Sequence, residues 1–404
     1  MSFMNFNGEC RELLKFISEA LFQDLNKSET LSVEFRGEET DYVRWNQSKV
    51  RQNTSVLQRE MNFELQCDGK RSNKSFSAQG VVDQDLMTAR TLLQEARADL
   101  HFLPVDPFLV PFANHGTSLA EYPGQLLEGE ELIPAIAGPG TEVDLAGLYA
   151  GGTIVNGNRN SLGQDHWFAN ESFFVDYSLY DGERAVKSTY AAFHWNQKSF
   201  NESVQSAQRQ LVLLNRPSKK IEPGKYKVYL APAALSEISQ IFDMGALSYR
   251  EYKNGACAFK KLMEKERTLS PLLSISENFK LGLTPRFNSL GELAAEHLPI
   301  ITEGVLQQLL VNSRSAKEYG VPGNFASSLW ESPRALDIAP GTLSKSEILK
   351  QLGTGLYLSN LHYLNWSDLQ NARVTGMTRY ACMWVENGEI VAPIEDMRFD
   401  VSML

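Results

Sequence analysis

The histidines of the chain are the first residues to consider for metal or acid–base chemistry. They are His101, His115, His166, His194, His297 and His362. Because no two of them lie within five residues of each other, the sequence contains no HExxH or HxxxH pair that could hold zinc from one face of a helix. This scatter favours histidines that are solvated or hydrogen-bonded in the core. A metal site assembled from distant residues stays open.

A cysteine is the one candidate nucleophile. No G-x-S-x-G elbow for a serine nucleophile is present. Cys382 lies in the apolar, strand-like segment Tyr380–Val385, and His362 precedes it in the chain. If the thiol and the imidazole meet in the folded protein, the pair could form a thiolate nucleophile. Cysteine in an apolar strand is also typical of an inert core, so both interpretations remain.

A segment rich in glycine and asparagine, Gly147–Gly163, raises the question of a phosphate-binding loop. It contains neither GxGxxG nor GxxxxGK[ST]. Glycine and asparagine supply the positive φ that hairpin turns need, so the segment predicts strands joined by tight turns. The acidic pairs Glu130–Glu131 and Glu264/Glu266 lie among polar residues and are predicted to be solvated.

Hydrophobic periodicity predicts the elements of the first 105 residues. Apolar residues recur with helical spacing between Leu13 and Leu21. Leu31–Phe35 and Met61–Cys67 alternate apolar with polar residues, as half-buried strands do, and Tyr42–Arg51 is predicted to pair as another strand. A second helix is predicted to begin with Asp83 as its N-cap.

The remaining patterns complete the predicted architecture. Residues 106–221 are predicted to form strands that end in a helix, which begins with the capping box Ser199–Glu202. A short strand over Lys225–Leu230 then opens the last domain. We predict an α+β fold: an N-terminal domain of helices and antiparallel strands (1–105), the central segment, and a β-rich, barrel-like C-terminal domain (222–404).

Composition and charge exclude several classes of function. The 404 residues are 43% hydrophobic and 22% charged, as in ordinary globular proteins. Lys and Arg number 39 against 49 Asp and Glu, so the net charge of −10 disfavours nucleic acid and anionic membranes as partners. Four dispersed cysteines, no signal-like N-terminus and no apolar run of about 20 residues predict a cytoplasmic protein without a membrane span.

Several segments together resemble the TldD/PmbA (TldE) family, the metallopeptidase-related proteins also named modulators of DNA gyrase. They are Val43–Val50, Gly147–Gly163, Glu222–Ala234, Gly353–Leu358, Val374–Gly376 and Trp384–Pro393. Glu222–Ala234 is similar to the family's PGxYxVVLxPxA strand. The resemblance extends over nearly the whole chain, and the Glu-Asn-Gly hairpin within Trp384–Pro393 is its most specific part.

In the catalytic TldD branch, the helix after the LxPxA strand carries a His-Glu-x-x-x-His zinc motif. In this chain Gln240 and Ile241 stand where the His-Glu pair would be, and Met244 or Gly245 where the second histidine would be. Catalytic zinc needs imidazole, carboxylate or thiolate ligands and a base that activates water, which these residues do not supply. The resemblance therefore implies a TldE/PmbA-like, non-catalytic subunit, with no cofactor in this chain and zinc in its partner.

The resemblance also implies a TldD-like metallopeptidase partner and unfolded peptides as the material that the complex binds and cleaves. A candidate peptide-binding strand consists of Gly353, Thr354, Gly355, Leu356 and Tyr357. It could bind an extended peptide through main-chain hydrogen bonds if one edge is unpaired, while an internal strand of a closed sheet is the equal alternative. Two other functions stay open: a stand-alone peptide-binding homodimer, and an independent hydrolase that uses Cys382 and His362.

Two segments depart from the usual PmbA pattern, Leu361–Gln370 and Met377–Tyr380. Their tyrosine, tryptophan, histidine and arginine side chains could form a pocket specific to a subfamily. A polar and aromatic turn that packs on the sheet is the favoured alternative.

Overall fold

The computed structural model of the protein describes residues 3–140, 143–325 and 330–404. Within them the helices are α1 (Phe3–Gln23), α2 (Val82–Leu100), α3 (Leu132–Ala137), α4 (Gln197–Leu213), α5 (Pro232–Ser239), α6 (Tyr249–Asn254), α7 (Lys260–Met263), α8 (Ser313–Tyr319) and α9 (Ile348–Leu352). None of these described helices has both the length and the apolar character needed to cross a membrane.

The strands before the C-terminal part of the chain are β1 (Thr30–Asn46), β2 (Lys49–Cys67), β3 (Lys70–Ser77), β4 (Thr117–Tyr122), β5 (Asp144–Asn160), β6 (Asp165–Asp181) and β7 (Arg184–Ala192). Those that follow are β8 (Val228–Leu230), β9 (Ile275–Asn278), β10 (His297–Thr302), β11 (Val305–Leu306), β12 (Leu336–Ile338), β13 (Gly355–Leu358), β14 (Asn360–Asp368), β15 (Arg373–Arg379), β16 (Met383–Glu386), β17 (Glu389–Pro393) and β18 (Arg398–Ser402).

One large sheet contains all the described strands of the first half of the chain. Its order is β3-β2-β1-β5-β6-β4, with β7 also paired to β6. The pairs are antiparallel except for β4 and β6, which are parallel. Since β1 pairs with β5 from Ser32↔Asn160 to Trp45↔Gly147, the sheet is continuous across the domain boundary predicted at residues 105 and 106.

Helices α1 and α2 cover one face of this sheet. Leu31, Val33 and Phe35 of β1 are buried against them together with Leu14 and Ile17 of α1. Successive side chains of a strand point to opposite faces, so the polar residues between these apolar ones lie on the other side of the sheet. The burial of the apolar face against the helices is the main source of stability in this half of the molecule.

A second core joins the two halves of the chain. Helix α4 packs on β6 and β7, where Phe200 contacts the ring of Tyr177 edge-on at a centroid distance of 5.8 Å. Ala381, just before β16, and Met383, the first residue of β16, are buried in the same cluster. The C-terminal part of the chain therefore packs directly on the N-terminal sheet.

Three small sheets make up the described C-terminal strands, with the orders β11-β10-β9-β12, β17-β16-β13-β8 and β14-β15-β18. The predicted α+β fold is confirmed. No sheet of the described residues closes into a barrel, because each of the three ends in edge strands. The β-rich C-terminal part is thus a set of open sheets connected by short helices and loops.

Some local predictions for the N-terminal half were wrong. Tyr42–Arg51 is not a separate strand but the end of a long hairpin, whose turn residues Gln47 and Ser48 have φ of 52° and 53°. Gly147–Gly163 does not contain a series of turns, since β5 runs unbroken to Asn160. Its glycines are needed for space: a Cβ on Gly152 would collide with the backbone of the neighbouring strand β1.

The predicted helix caps were also wrong. Helix α2 begins after Val81 without a side-chain cap, and the carboxylate of Asp85 instead accepts hydrogen bonds from two backbone N–H groups just upstream. The N-cap of α4 is Asn196, whose side chain accepts a hydrogen bond from the backbone N–H of Ser199 at 2.9 Å. Ser199 lies inside the first turn and is not the cap.

Candidate functional site

The segment that corresponds to the zinc motif starts on α5 but leaves the helix before the critical positions. Helix α5 ends at Ser239, and Gln240–Asp243 forms a 3₁₀ turn. Gln240 is exposed, Ile241 is buried, Met244 is about half exposed, and Gly245 has a φ of 81°. This set of side chains does not fit zinc, because it offers neither an imidazole nor a thiolate and only one carboxylate, that of Asp243.

Burial raises the pKa of the Asp243 carboxyl, which opposes the ionised form that a metal would bind. No group of three or more histidine, cysteine or acidic residues in the described ranges is arranged to hold a metal ion.

The structure does not join Cys382 and His362 into a hydrogen-bonded pair. The Cys382 thiol is buried and donates towards the backbone carbonyls of Asn360 and Arg379, at 3.6 and 3.4 Å. Neither ring nitrogen of His362 has a hydrogen-bond partner among the described residues. Burial raises the pKa of the thiol, so the thiolate is disfavoured at neutral pH. The arrangement is that of a core cysteine.

The strand Gly353–Leu358 is internal, which corrects its assignment as a peptide-binding edge. Its β13 part, which begins at Gly355, pairs with β16 on one side and β8 on the other. Leu356 is buried and Tyr357 stacks obliquely on Tyr229. Gly353 and Thr354 precede the strand as the end of α9 and a short connection. Because β13 is paired on both sides, it offers no free edge to an extended peptide.

The segment Leu361–Gln370 forms β14 and the turn after it. The register with β15 shifts after His362, and the extra residue Tyr363 takes a φ of 54° and points to solvent. The rings of His362 and Tyr363 stack at a centroid distance of 4.3 Å. In the described residues this segment is an irregular polar and aromatic edge strand.

A cavity of about 1020 Å³ lies between the polar face of the N-terminal sheet and the C-terminal part of the chain. We call it the interdomain cleft. Its sheet wall includes Ser32 and Glu34 of β1 and Asn62 of β2, and its other wall includes the loop 283–290 and Arg314. The cavity is at the upper end of the volume usual for ligand sites, about 300–1,000 Å³.

A partly buried arginine fixes the C-terminal wall of the cleft. The guanidinium of Arg334 donates hydrogen bonds to the backbone carbonyls of Pro285, Arg286 and Phe287 at 3.3, 3.1 and 2.8 Å. The carboxylate of Glu277 in turn accepts the backbone N–H of Arg334 at 2.7 Å. These bonds hold the loop 283–290 in one conformation against the sheet.

Direct hydrogen bonds and one ion pair connect the two walls. They include Asn158 Nδ2 to the Ser289 carbonyl at 2.8 Å, Asn170 Nδ2 to the Gly282 carbonyl at 3.3 Å, and, beside the sheet, Arg314 to Asp106 of the loop after α2 at 2.5 Å. His166 contributes a stacked contact with Phe287, at a centroid distance of 5.5 Å. Burial lowers the pKa of this imidazole, so it remains neutral at physiological pH.

The sheet wall of the cleft carries the carboxyl group of Glu34, whose ionised form is disfavoured by its surroundings. Burial, and then the nearby carboxylates Glu64 and Glu60, raise the pKa of Glu34, while Arg36 acts in the opposite direction. Sequence reasoning missed this wall. The signal was present in the polar residues that alternate with the apolar ones along β1 and β2.

The comparisons with known proteins agree with this architecture. Residues 223–404 match the family described as "PmbA/TldA metallopeptidase C-terminal domain". A proposed modulator of a DNA gyrase from Thermotoga maritima is similar in structure, with a TM-score of 0.76 and 18% identity over 97% of this chain and 91% of that one. No curated protein matches the sequence.

Two more solved structures share the fold. TldE from Thermococcus kodakarensis gives a TM-score of 0.73 with 12% identity, over 98% of this chain and 91% of that chain. A proposed modulator of DNA gyrase from Bacteroides thetaiotaomicron gives 0.75 with 15% identity, over 97% and 90%. Residues 223–404 thus match the C-terminal domain of the PmbA/TldA metallopeptidases, and the chain as a whole has the fold of these solved structures.

Proposed function

We propose that this chain is the non-catalytic, TldE-like subunit of a TldD/TldE-type metallopeptidase complex that binds and cleaves unfolded peptides. The observation that carries the proposal is the side-chain set at the zinc-motif positions. There, exposed Gln240 and buried Ile241 replace the histidine and the glutamate that the chemistry needs. Zinc and the hydrolytic step belong to the partner, and this chain needs no cofactor.

The interdomain cleft supports a role in peptide binding. It is large, and its sheet wall presents amides and carboxylates that can hydrogen-bond to a peptide main chain. The strand Gly355–Leu358 is paired on both sides and does not serve this purpose. Dispersed free cysteines suit the reducing cytoplasm, where we place the complex.

The test is to purify the chain alone and together with a TldD-like subunit. We expect the isolated chain to contain close to zero zinc by elemental mass spectrometry and to leave an unstructured peptide intact. We expect the two-subunit complex to contain zinc and to hydrolyse the peptide in a way that a chelator stops. Chelator-sensitive hydrolysis by the isolated chain would overturn the proposal.

The Cys382→Ser variant is the matched control for hydrolysis that does not depend on metal. Because the thiol is buried and has no imidazole partner, the variant should behave as the parent does in both preparations. If the isolated chain cleaves peptides and the variant does not, the chain is a thiol hydrolase. If the chain binds peptides as a homodimer and forms no complex with a TldD-like subunit, it is a stand-alone binding protein.

A further inference from the structure

The acidic groups of the interdomain cleft lie on two neighbouring strands in a defined register. Glu34 of β1 is directly opposite Asn62 of β2, and Arg36 is directly opposite Glu60. Glu34 and Glu60 are therefore diagonal neighbours on the same face of the sheet, about 7–8 Å apart between Cα atoms. Glu34 is largely buried, with 20% of its side chain exposed, whereas Glu60 is exposed at the mouth of the cleft.

The cations that line the cleft are almost all occupied by other partners. Arg71 pairs with Glu64, Lys74 with Asp99, Arg314 with Asp106, and Arg334 with backbone carbonyls. Arg250 is not free either, because it has partners of its own. The charges that face the Glu34 and Glu60 carboxylates are thus those of Arg36 and of the acidic residue Glu64.

Arg36 neutralises only part of this negative charge. Its guanidinium lies 3.7 Å from the Glu34 carboxylate, and 65% of its side chain is exposed. Glu60 makes no ion pair with any described residue. One solvated guanidinium therefore serves two carboxylates, which leaves room for a cation supplied by a ligand.

A second observation points to a ligand at this place. The hydroxyl of Ser32 lies on the same wall of the cleft, next to Glu34 along β1, and is 97% buried without a hydrogen-bond partner in the described part of the chain. The side-chain oxygen of Asn170, on the same sheet, is also buried and unpartnered. Buried polar groups in folded proteins are normally hydrogen-bonded, so such groups at the wall of a cavity mark a site for an occupant.

The geometry suits an organic cation on an extended chain. The carboxylates do not converge on a point, and the described residues form no cluster suited to a metal ion. Side chains two residues apart in an extended peptide lie on the same side and about 7 Å from each other. This spacing matches the separation of Glu34 and Glu60 across the two strands.

We propose that the interdomain cleft selects extended peptides that carry two cationic side chains two residues apart, one bound by Glu60 at the mouth and the other by Glu34 further in. This inference rests on the proposed function, because it names the class of peptide that the same cleft takes. The net charge of −10 adds a long-range attraction for such peptides.

The experiment measures the binding of labelled, unstructured nine-residue peptides to the full-length chain by fluorescence anisotropy. The probes carry Lys at positions 4 and 6, Lys at 4 and 5, Gln at 4 and 6, or Glu at 4 and 6. We expect the first peptide to bind about tenfold more tightly than the others, because adjacent lysines point to opposite sides of an extended chain. Equal affinity for the Gln or Glu peptide would overturn the proposal.

Variants of the two strands decide whether the sheet wall is responsible. Glu60→Gln should weaken the peptide with Lys at 4 and 6 about tenfold and leave the Gln peptide unchanged. Arg36→Gln should strengthen the same peptide several-fold, since it removes the competing guanidinium. Glu183→Gln, in the exposed turn between β6 and β7, is the control and should change nothing.

Folding defects do not obscure the result, because Glu60 and Arg36 are exposed and their replacements leave the core intact. If Glu60→Gln binds the lysine peptide as the parent does, the proposal fails. Different results would refute the proposed function: the absence of a complex with a TldD-like subunit, or chelator-sensitive hydrolysis by the isolated chain. A complex that cleaves neutral and basic peptides equally well would refute the selectivity alone.

Discussion

The two faces of strand β1 differ in what covers them and in how fully their side chains are satisfied. Leu31, Val33 and Phe35 are buried against two helices in a continuous apolar core. On the other face, Ser32 and Glu34 are also withdrawn from water, but a cavity lies above them. The same backbone thus serves packing on one side and a polar, incompletely paired wall on the other.

This difference indicates which face of the strand stabilises the fold and which face is available for binding. A packed apolar face gains free energy from nearly every atom that it buries. A buried polar face gains little and loses free energy wherever a donor or a carboxylate has no partner. Such a face is retained in a fold when something other than stability requires it, as at binding sites.

The largest effect is expected on the apolar face. Phe35→Ala removes a ring that is buried beside Trp167, at a centroid distance of 6.0 Å, and leaves a cavity in the core. The free energy of unfolding should fall by about 3–5 kcal/mol. Urea denaturation followed by tryptophan fluorescence measures it. A loss below about 1 kcal/mol would show that the two faces do not differ as described.

The next largest effect should come from the C-terminal wall of the cleft. Arg334→Met leaves four backbone carbonyls without their donor and Glu277 without a neighbouring cation, so we expect a loss of about 3 kcal/mol. Hydrogen exchange should accelerate in the loop 283–290.

The matched control for this loop is Arg398→Met, since Arg398 is 70% exposed and lies 3.9 Å from Asp400. The free energy of unfolding of the Arg398→Met variant should differ from that of the parent by less than about 0.5 kcal/mol. Unchanged exchange of the loop in Arg334→Met would mean that this arginine does not hold the cleft wall.

A smaller effect with a defined pH dependence is expected for Glu34. Burial raises its pKa in the folded state, so the folded protein binds this proton more tightly than the unfolded chain does. The protonated Glu34 carboxyl therefore makes its full contribution to the free energy of unfolding at a pH below the ordinary carboxyl pKa. This contribution is lost as the pH rises through the raised pKa of the folded state. Glutamine does not ionise, so Glu34→Gln does not lose this contribution. The stability of the variant relative to the parent should therefore increase from pH 4 to pH 7.

Urea midpoints of the parent and of Glu34→Gln at these two pH values measure the change. A difference in stability that is the same at both pH values would contradict the assignment. A cationic peptide should reduce the difference at pH 7, because a bound cation stabilises the ionised Glu34.

The smallest effect is expected for two buried serines, Ser32 on β1 and Ser18 on α1, which differ in their hydrogen-bond partners. Ser32→Ala should change stability by less than about 0.5 kcal/mol, because the Ser32 hydroxyl has no hydrogen bond to lose. Ser18→Ala should cost about 1 kcal/mol, since the Ser18 hydroxyl donates to the Lys15 carbonyl and accepts from Arg159 at 2.7 Å. Equal losses in thermal unfolding would show that the Ser32 hydroxyl does have a hydrogen-bond partner in the folded protein.

The sequence predicted those parts of the fold that depend on local periodicity. The helical spacing of Leu13 to Leu21 and the alternation around Val33 correspond to α1 and β1. The pairing of β1 with β5 could not be predicted, because it joins residues more than a hundred positions apart and no local pattern encodes it. The glycines of β5 were wrongly predicted to form turns for the same reason, because the atoms that approach them closely belong to other strands.

The zinc-motif positions could be assessed from the sequence because a ligand set is a matter of residue type alone. The interdomain cleft could not be found, because its walls come from segments of β1, β2 and the loop 283–290 that meet only in the folded chain. The edge proposed at Gly355 also depended on distant partners: β8 lies more than 120 residues before it, and β16 closes the other side.

The pairing of β1 with β5 also sets an order for synthesis. About 100 residues separate the end of β1 from the start of β5, and a ribosome that adds about 5–20 residues per second needs roughly 5–20 s to make them. During that interval the nascent hairpin of β1 and β2 exposes an unpaired edge beside Val33 and Phe35. We expect chaperones that bind such edges to act before residue 160 emerges, and fragments that end near residue 105 to aggregate.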